Sequence, residues 1–599
     1  MIRVADYVAK SLADRGVRHV FMVTGGGAMF LNDALGNQEG IQPIFNHHEQ
    51  ASSFAAEGYA RVTNTPGVIN VTSGPGSINA INGVFGAWTD SIPMLVISGQ
   101  VKRETLLDTY KLPGLRQIGD QEVDIISMVQ SITKYAVLVD DPATIRYHLE
   151  KAWYLAISGR PGPVWLDIPI DVQSSQINPD ELKGFTPSEN NLSINLPKIC
   201  YEVAEKIAKA DHPAILVGKG IRLAKAEAIF EKIIGRLQIP VATAWTGIDL
   251  MPYNHPLYCG CSADVGTRAG NFTVQNSDLL LVLGSRLSLR QVTYNWKAFA
   301  RHAYKIQVDV DPAEMKKPTV NIDLPIVCDV KEFLDELDRQ LDAISYQPQH
   351  AEWLAWCKAR VKKYPVLQER FKQSNGIMVN PYYFVDKLFE LLGTNATIVC
   401  GNGTANVVTF QGAKIKEGQR LFCNTGDASM GYDLPAAIGA AFADPSRKVI
   451  CMAGDGSLQF NIQELQVMKH YNLPIILFVL NNNGYLSIRL SQKNFFERLT
   501  GESPQSGISF PEITRLAGAY GLPVTQLNAD NLLTELPKIL QTRGPLVCEV
   551  LLDQDQGFEP KISSKQLPDG KIVSAPMEDM YPFLSREEML TNLLIPPLE

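Results

Sequence analysis

Apolar residues in this chain gather into short runs rich in Val, Ile and Leu, and each run gives way to a longer mixed or glycine-rich stretch. "HVFMVTG", "PGVINVTSG", "PMLVISGQ" and "GPVWLDIP" are four such runs, and their alternation with helix-like segments predicts a parallel, doubly wound sheet over residues 1–175. The opening "MIRVADYVAKSLADRG" reads as an amphipathic helix. Residues 176–197 are polar, with several Pro, Gly and Asn, and are expected to form a linker. A second α/β unit follows over 198–345, carried by "PAILVGKG", "PVATAWTG", "DLLLVLGSR" and "KIQVDVDP". A helical connection, "HAEWLAWCKARVKKYP", leads to a third unit over 365–553 with "ATIVCGNG", "RKVICMAGDG", "PIILFVLNNNG" and "GPLVCEVLL". Residues 554–599 are expected to form an ordered but irregular cap. Three successive units of similar size suggest duplication of one architecture. The predicted fold class is therefore α/β, with three Rossmann-like doubly wound parallel-sheet domains.

Composition narrows the class of protein. The 599 residues are 45% apolar and 20% charged, which describes a globular chain rather than a disordered one. A net charge of −8 argues against a nucleic-acid or anionic-membrane partner. No apolar run is long enough to cross a bilayer, and the N-terminus lacks the apolar centre of a signal peptide. Nine cysteines, odd in number and irregular in spacing, read as reduced, buried thiols and point to the cytoplasm. Cys259-x-Cys261 stands near His255 but has no second ligand pair, so it reads as core rather than as a metal site.

The candidate chemistry starts at "CMAGDGSLQF", where Asp455 stands between two glycines at the end of an apolar run. Alone, this is a βα turn with a capping Asp. The next strand changes the reading. Between Asp455 and Asn482 there is room for one helix, about 461–471, and one strand, about 474–480. Two neighbouring parallel strands thus deliver both residues to the carboxyl edge where open α/β sheets bind ligands. The Asp455 carboxylate, the Asn482 amide oxygen and the Gly484 carbonyl are hard oxygen donors, a small set that suits magnesium. Gly454 and Gly456 permit close backbone approach, and the following helix N-terminus favours an anion. Asp455 is read as a metal ligand tying down a diphosphate.

At this point the chain resembles a known family. "GDGS" and the second Asn of "NNNGY", 27 residues after its Asp, are similar to the fingerprint of thiamine-diphosphate-dependent enzymes. The stretch "NHHEQASSFAAEGYARVTNTPGVINVTSGPGS" resembles the pyrimidine-binding domain of the acetolactate synthase branch. The resemblance implies bound thiamine diphosphate and Mg2+, with Asp455, Asn482 and Gly484 as metal ligands. It makes Glu49 the catalytic acid that favours the imino tautomer of the pyrimidine, so that the exocyclic nitrogen can take the thiazolium proton. It makes Met430, in "GDASMGYDLPAAIGAA", the wedge between the two rings of the cofactor. It sets Gln121, in "QEVDIISMVQ", against the substrate. Gly25, Thr404, Ala428, Gly454, Gly456 and Ser457 complete the cofactor-binding set. In the central unit, Arg286 of "GSRLSLR" is similar to an FAD-gripping segment, and Arg290 matches more loosely; an ADP-bound or empty domain is the alternative to FAD.

The departures bear on substrate. Ser487 and Ser491 stand where synthases carry Met and Trp, Thr404 and Ala405 where they carry Gln and His, and Asp433 where they carry Gly. The expected function is a carboligase that decarboxylates a 2-oxo acid such as pyruvate and joins the remainder to a carbonyl acceptor. A 2-oxo acid decarboxylase, a cyclic-diketone lyase and an oxidase of the same superfamily are the alternatives, and a non-catalytic nucleotide-binding scaffold is the alternative outside enzymes. A nicotinamide dehydrogenase is set aside because "TGGGAMF" lacks the G-x-G-x-x-G spacing. The resemblance also implies a homodimer or homotetramer whose active sites are shared between chains.

Overall fold

The computed structural model describes residues 1–187, 194–496, 498–566 and 569–598. Part of the expected linker, 188–193, and residues 567–568 and 599 of the expected cap lie outside the described residues. The N-terminal sheet contains β1 (His19–Met22), β2 (Gln42–Phe45), β3 (Gly67–Val71), β4 (Met94–Gln100), β5 (Tyr135–Leu138) and β6 (Pro163–Pro169), in the order β2-β1-β3-β4-β6-β5. The central sheet contains β7 (Pro213–Val217), β8 (Val241–Thr243), β9 (Tyr258–Cys261), β10 (Leu279–Leu283), β11 (Tyr304–Asp309) and β12 (Leu324–Val327), in the order β9-β8-β7-β10-β11-β12. The C-terminal sheet contains β13 (Ala396–Cys400), β14 (Arg420–Cys423), β15 (Lys448–Gly454), β16 (Ile475–Asn481), β17 (Val524–Leu527) and β18 (Leu546–Leu551), in the order β14-β13-β15-β16-β18-β17. Pairings within the three sheets are parallel. Strands such as β3, β4 and β6 are buried along their whole length, since helices cover both faces.

The three parallel six-stranded α/β units are the expected fold class, but duplication of one architecture does not extend to strand order. Counted within each unit, the outer sheets share the order 2-1-3-4-6-5, whereas the central sheet has 3-2-1-4-5-6, the dinucleotide-fold order. In the outer units the third strand returns to the far side of the first. In the central unit it continues outward, and the reversal comes one strand later. The first reversal makes a switch point between strands one and three in the outer units, and between one and four in the central one.

Two helices join the outer units. α1 (Glu49–Thr63) and α4 (Asp433–Ala443) cross in backbone contact. A Cβ on Gly439 would stand 1.8 Å from the Ala55 carbonyl oxygen, and one on Gly58 would stand 2.2 Å from that of Ala436. Only hydrogen fits at those crossing points. Between and after these lie α2 (Pro75–Thr89), α3 (Thr404–Gly412) and α5 (Leu486–Phe495).

Three local expectations change. The helix after Asp455 is a 3-10 stretch, Leu458–Glu464, followed by an α-helical Leu465–His470. The break falls at Asn461, whose side chain leaves the helix to donate to Gln50 Oε1 (3.0 Å) and the Gly431 carbonyl (2.8 Å). The start of the expected linker is not free chain, because Gln176–Ile177 pairs with Ile2–Arg3. The tail carries a hairpin, Ser564–Gln566 with Ile572–Ser574, and a helix, Arg586–Thr591. It is pinned to the central unit by Glu578, which meets Arg301 at 2.7 Å and Gln275 at 2.6 Å in a buried cluster.

Candidate active site

The C-terminal edge assembles around Asp455. β15 ends at Gly454 and β16 at Asn481, so their parallel pairing sets Asp455 beside Asn482. Asp455 is 3% exposed; its Oδ1 accepts from the Gly456 N–H at 2.9 Å and its Oδ2 from the Gly484 N–H at 3.0 Å. Gly484 has φ +140°, a conformation that side chains rarely adopt, and a Cβ there would strike the Glu502 carbonyl. Arg489 holds this turn from behind, donating to the Asn483 carbonyl at 3.1 Å while paired with Glu502 at 2.6 Å.

Asn482 is 4% exposed and its Nδ2 donates to Thr404 Oγ1 at 3.0 Å. Its Oδ1 is buried and has no hydrogen-bond partner among the described residues. A buried amide oxygen left unpaired is costly, and burial pushes Asp455 up to about 6 despite its backbone donors. A cation between them would satisfy the first and reverse the second. Among the described residues no three His, Cys, Asp or Glu converge on a metal site, which leaves one carboxylate and neutral oxygens, a set that fits magnesium better than zinc.

Thr404, Ala428, Met430 and Ser457 of the expected set belong to the same sheet edge. Thr404 opens α3, so the positive end of that helix faces the same crevice. Ala428 has φ +57°, with the N–H groups of Asp427 and Ala428 both held by Asn424 Oδ1 at 3.2 Å. Met430 follows in the same loop. Ser457 lies beneath it, accepting from the Gly431 N–H at 3.0 Å and donating to Asp433 Oδ2 at 2.6 Å. The Ser457 hydroxyl is thus engaged within the protein both as donor and as acceptor.

The N-terminal edge assembles around Glu49, the first residue of α1, which is 8% exposed. Asn79 of α2 donates to Glu49 Oε2 at 3.0 Å, while Oε1 lies 3.2 Å from where a Cβ on Gly76 would stand. Gly25 packs on Thr72 of the same turn region. Gln121 has φ +63°, and its carbonyl oxygen occupies the space a Cβ on Gly74 would need, 2.4 Å away. That backbone contact brings the exposed Gln121 loop to the Glu49 edge. Gln100 anchors the loop by donating to the Val123 carbonyl and to the buried Asp167, both at 2.9 Å.

Hydrogen bonds bridge the two edges at Asn82–Ser429 (2.9 Å) and Gln50–Asn461, and among the described residues the carboxyls of Glu49 and Asp455 share no hydrogen-bond partner. Arg286 stands apart from both. It lines a cavity of about 500 Å³ at the central switch point, with Arg160, Lys219, Trp245, Arg290 and Asp309. Arg286 and Arg160 share Glu314, at 3.6 and 2.8 Å. Burial pushes the Lys219 amine down to about 7, and it donates to the Asp90 carbonyl. Sequence reasoning missed Asn79, Arg160 and Lys219; "GKG" directly after an apolar run was the available signal for the last.

Three family profiles match the chain in order: the N-terminal thiamine pyrophosphate binding domain over 2–128, the central domain over 200–337 and the C-terminal thiamine pyrophosphate binding domain over 401–550. The chain belongs to the thiamine pyrophosphate enzymes. It is 32% identical over 571 residues to the acetolactate synthase large subunit of Lactococcus lactis, covering 93% of this chain and 94% of that one. Acetolactate synthase 2 of Nicotiana tabacum is 32% identical over 94% of this chain and 83% of its own length, and the large subunit of Haemophilus influenzae is 30% identical over 96% and 99%. Within the family, this is a thiamine-diphosphate-dependent enzyme of the acetolactate synthase-like branch.

Proposed function

We propose that the chain is a magnesium- and thiamine-diphosphate-dependent carboligase of acetolactate-synthase type, which decarboxylates a 2-oxo acid such as pyruvate and joins the remainder to a second carbonyl compound. The observation that carries this reading is the buried Asp455 carboxylate beside the unpartnered Asn482 Oδ1 at adjacent strand ends. Those two oxygens and the Gly484 carbonyl would hold the metal, leaving its other positions for phosphate and water. Bound thiamine diphosphate would supply a carbon acid whose conjugate base is a nucleophile, and an electron sink for decarboxylation. The chain's residues then bind, orient and move protons. Asn79 occupies Glu49 Oε2, so Glu49 holds and hands over its proton at Oε1. The N-terminus of α3 at Thr404 favours the diphosphate charge. Met430 supports the bend of the cofactor, and Gln121 faces the substrate.

In this reading residues 1–175 hold the pyrimidine end and 365–553 the diphosphate end, while 554–599 cap the unit at 198–345. That central unit takes FAD or an ADP-type nucleotide, supported by the cavity at its switch point. Met29, Phe45, Ile78, Phe85 and Phe460 stand exposed on elements flanking the two edges. With no hydrogen-bond partner shared by Glu49 and Asp455 among the described residues, they support a homodimer, or a homotetramer built on it, whose sites take one edge from each partner. Free cysteines throughout support a cytoplasmic location.

Thr404, bonded to Asn482, favours non-ligating decarboxylation as the second reading. Mass detection of products from pyruvate, with and without a panel of aldehydes and ketones, separates the two. A C–C-joined product is expected; free aldehyde alone would favour the decarboxylase, and no consumption of any 2-oxo acid would overturn both.

A further inference from the structure

Asp433 is a carboxylate in an unusual position. It opens α4 at 0% exposure, in a cluster of apolar side chains that includes Tyr432, Leu434 and Leu458. Among the described residues no Lys, Arg or His pairs with it. A buried carboxylate without a cation is expensive unless its oxygens are hydrogen-bonded. Here Oδ2 accepts the Ser457 hydroxyl at 2.6 Å and Oδ1 accepts the Leu434 N–H at 2.9 Å. Room for it is made by Gly401, where a Cβ would stand 2.4 Å from Oδ2.

The direction of these bonds matters. A hydroxyl has one proton, and Ser457 gives it to Asp433. Its lone pair is thereby turned to accept the Gly431 N–H at 3.0 Å. One line of hydrogen bonds runs from Gly431, next to Met430, through Ser457, two residues from Asp455, to the base of α4. Gly401, at the end of β13, closes it from the third side. Three strand-end loops of the C-terminal sheet meet on one carboxylate.

We propose that Asp433 is a positioning residue which, by holding the Ser457 hydroxyl as its donor, fixes the Met430 turn in register with the Asp455 loop. The inference rests on the roles given above to Met430 and Asp455. Asp433 touches neither substrate nor cofactor; it acts through Ser457.

The test is a double-mutant cycle on the full chain. Asp433→Ala, Ser457→Ala and the double variant are stripped of cofactor, and binding of thiamine diphosphate with magnesium is followed by quenching of tryptophan fluorescence. The near-ultraviolet circular dichroism of the bound cofactor is the second readout. Each single variant is expected to bind about tenfold more weakly, the loss of one charge-assisted hydrogen bond. The double variant should lose the same tenfold rather than the product, because both changes cut one line. Asp433→Asn has an acceptor for only one of the two donors and should fall between wild type and Asp433→Ala. Losses that multiply to about a hundredfold, or binding unchanged while thermal stability falls, would overturn the inference and leave Asp433 a helix-terminal group. If Asp433→Ala does not fold, the cycle is closed with Asp433→Asn and Ser457→Ala, where the same non-additivity supports the inference and multiplying losses overturn it. Wild-type protein that binds no thiamine diphosphate would overturn the proposed function instead.

Discussion

The N- and C-terminal sheets share one strand order, yet their carboxyl edges carry different residues. After the first strand the N-terminal unit has Gly25 and the C-terminal unit Thr404; after the second, Glu49 and the Met430 loop; after the third, Gly74–Gly76 and Asp455–Ser457. The C-terminal edge gathers an acid and an unpartnered amide oxygen at neighbouring strand ends, the composition of a cation site. The N-terminal edge has Pro75 between its glycines where the other has Asp455, and Glu49 stands on a helix, held by a neutral amide. The shared topology places loops. In the proposed function, the residue types in those loops decide whether an edge holds a metal or a proton.

The sharpest way to break the comparison is to remove one acid from each edge. Asp455→Ala should abolish magnesium-dependent binding of thiamine diphosphate, read by calorimetry, with circular dichroism of the fold unchanged; normal affinity would refute the metal reading. Glu49→Gln should bind the cofactor and yet turn over about 10²–10⁴-fold more slowly, the range for a lost acid–base group. If each site draws an edge from each partner, a heterodimer of the two variants has one intact site and should recover up to half of wild-type activity. A heterodimer as inactive as its parents would place both edges of a site in one chain.

The C-terminal edge was the more legible in sequence because its candidate residues follow strands directly, and a strand end is fixed by where the apolar run stops. Asp455 and Asn482 needed only one helix and one strand between them. The N-terminal edge depends on tertiary contact. Asn79 meets Glu49 across two helices, and Gln121 reaches its place through a backbone contact with Gly74, neither of which has a local signature. The helix break at Asn461 was likewise hidden, since its cause is a bond to Gln50 far away in the chain. Strand order also lay outside the reach of the apolar pattern, which is why the central unit was grouped with the outer two.

Acidity gives a graded test of the C-terminal edge. Without a cation, burial raises Asp455 from 3.8 to about 6. A carboxyl raised in the fold binds its proton more tightly folded than unfolded, so its contribution is lost as pH rises from about 4 through 6. Magnesium competes with that proton, so its apparent affinity should rise by up to about tenfold per pH unit across this window and level off above it. Thermal-shift titrations at pH 5, 6 and 7 read this, and Asp455→Ala, which retains the buried Asp433 and Glu464, should lack the slope. A smaller effect is expected where the outer units meet. Gly439→Ala forces a methyl group against the Ala55 carbonyl and should cost about 1–3 kcal/mol, read as a lower denaturation midpoint. An unchanged midpoint would mean that α1 and α4 separate more freely than their contact implies.

The smallest expected effect belongs to the central unit, whose different strand order should give a different ligand. Arg286 follows β10 at the switch point and lines the 500 Å³ cavity, where a nucleotide diphosphate would meet it. Its charge is not free, because Glu314 draws Arg286, Arg160 and Lys317 together, the last at 2.7 Å. An arginine already paired and partly exposed adds little to a new anion, while Arg160 and Lys219 remain in the same cavity. Arg286→Ala should therefore weaken FAD binding by only about three- to tenfold, and added salt should narrow the gap between the two proteins. Titration of FAD into nucleotide-free protein, followed by quenching of flavin fluorescence, measures both. ADP competing for the site would show that the ADP half of FAD rather than the flavin ring is recognised. Equal affinities for wild type and variant at low salt would move the diphosphate away from Arg286, and wild-type protein that binds neither FAD nor ADP would end the nucleotide reading of this cavity.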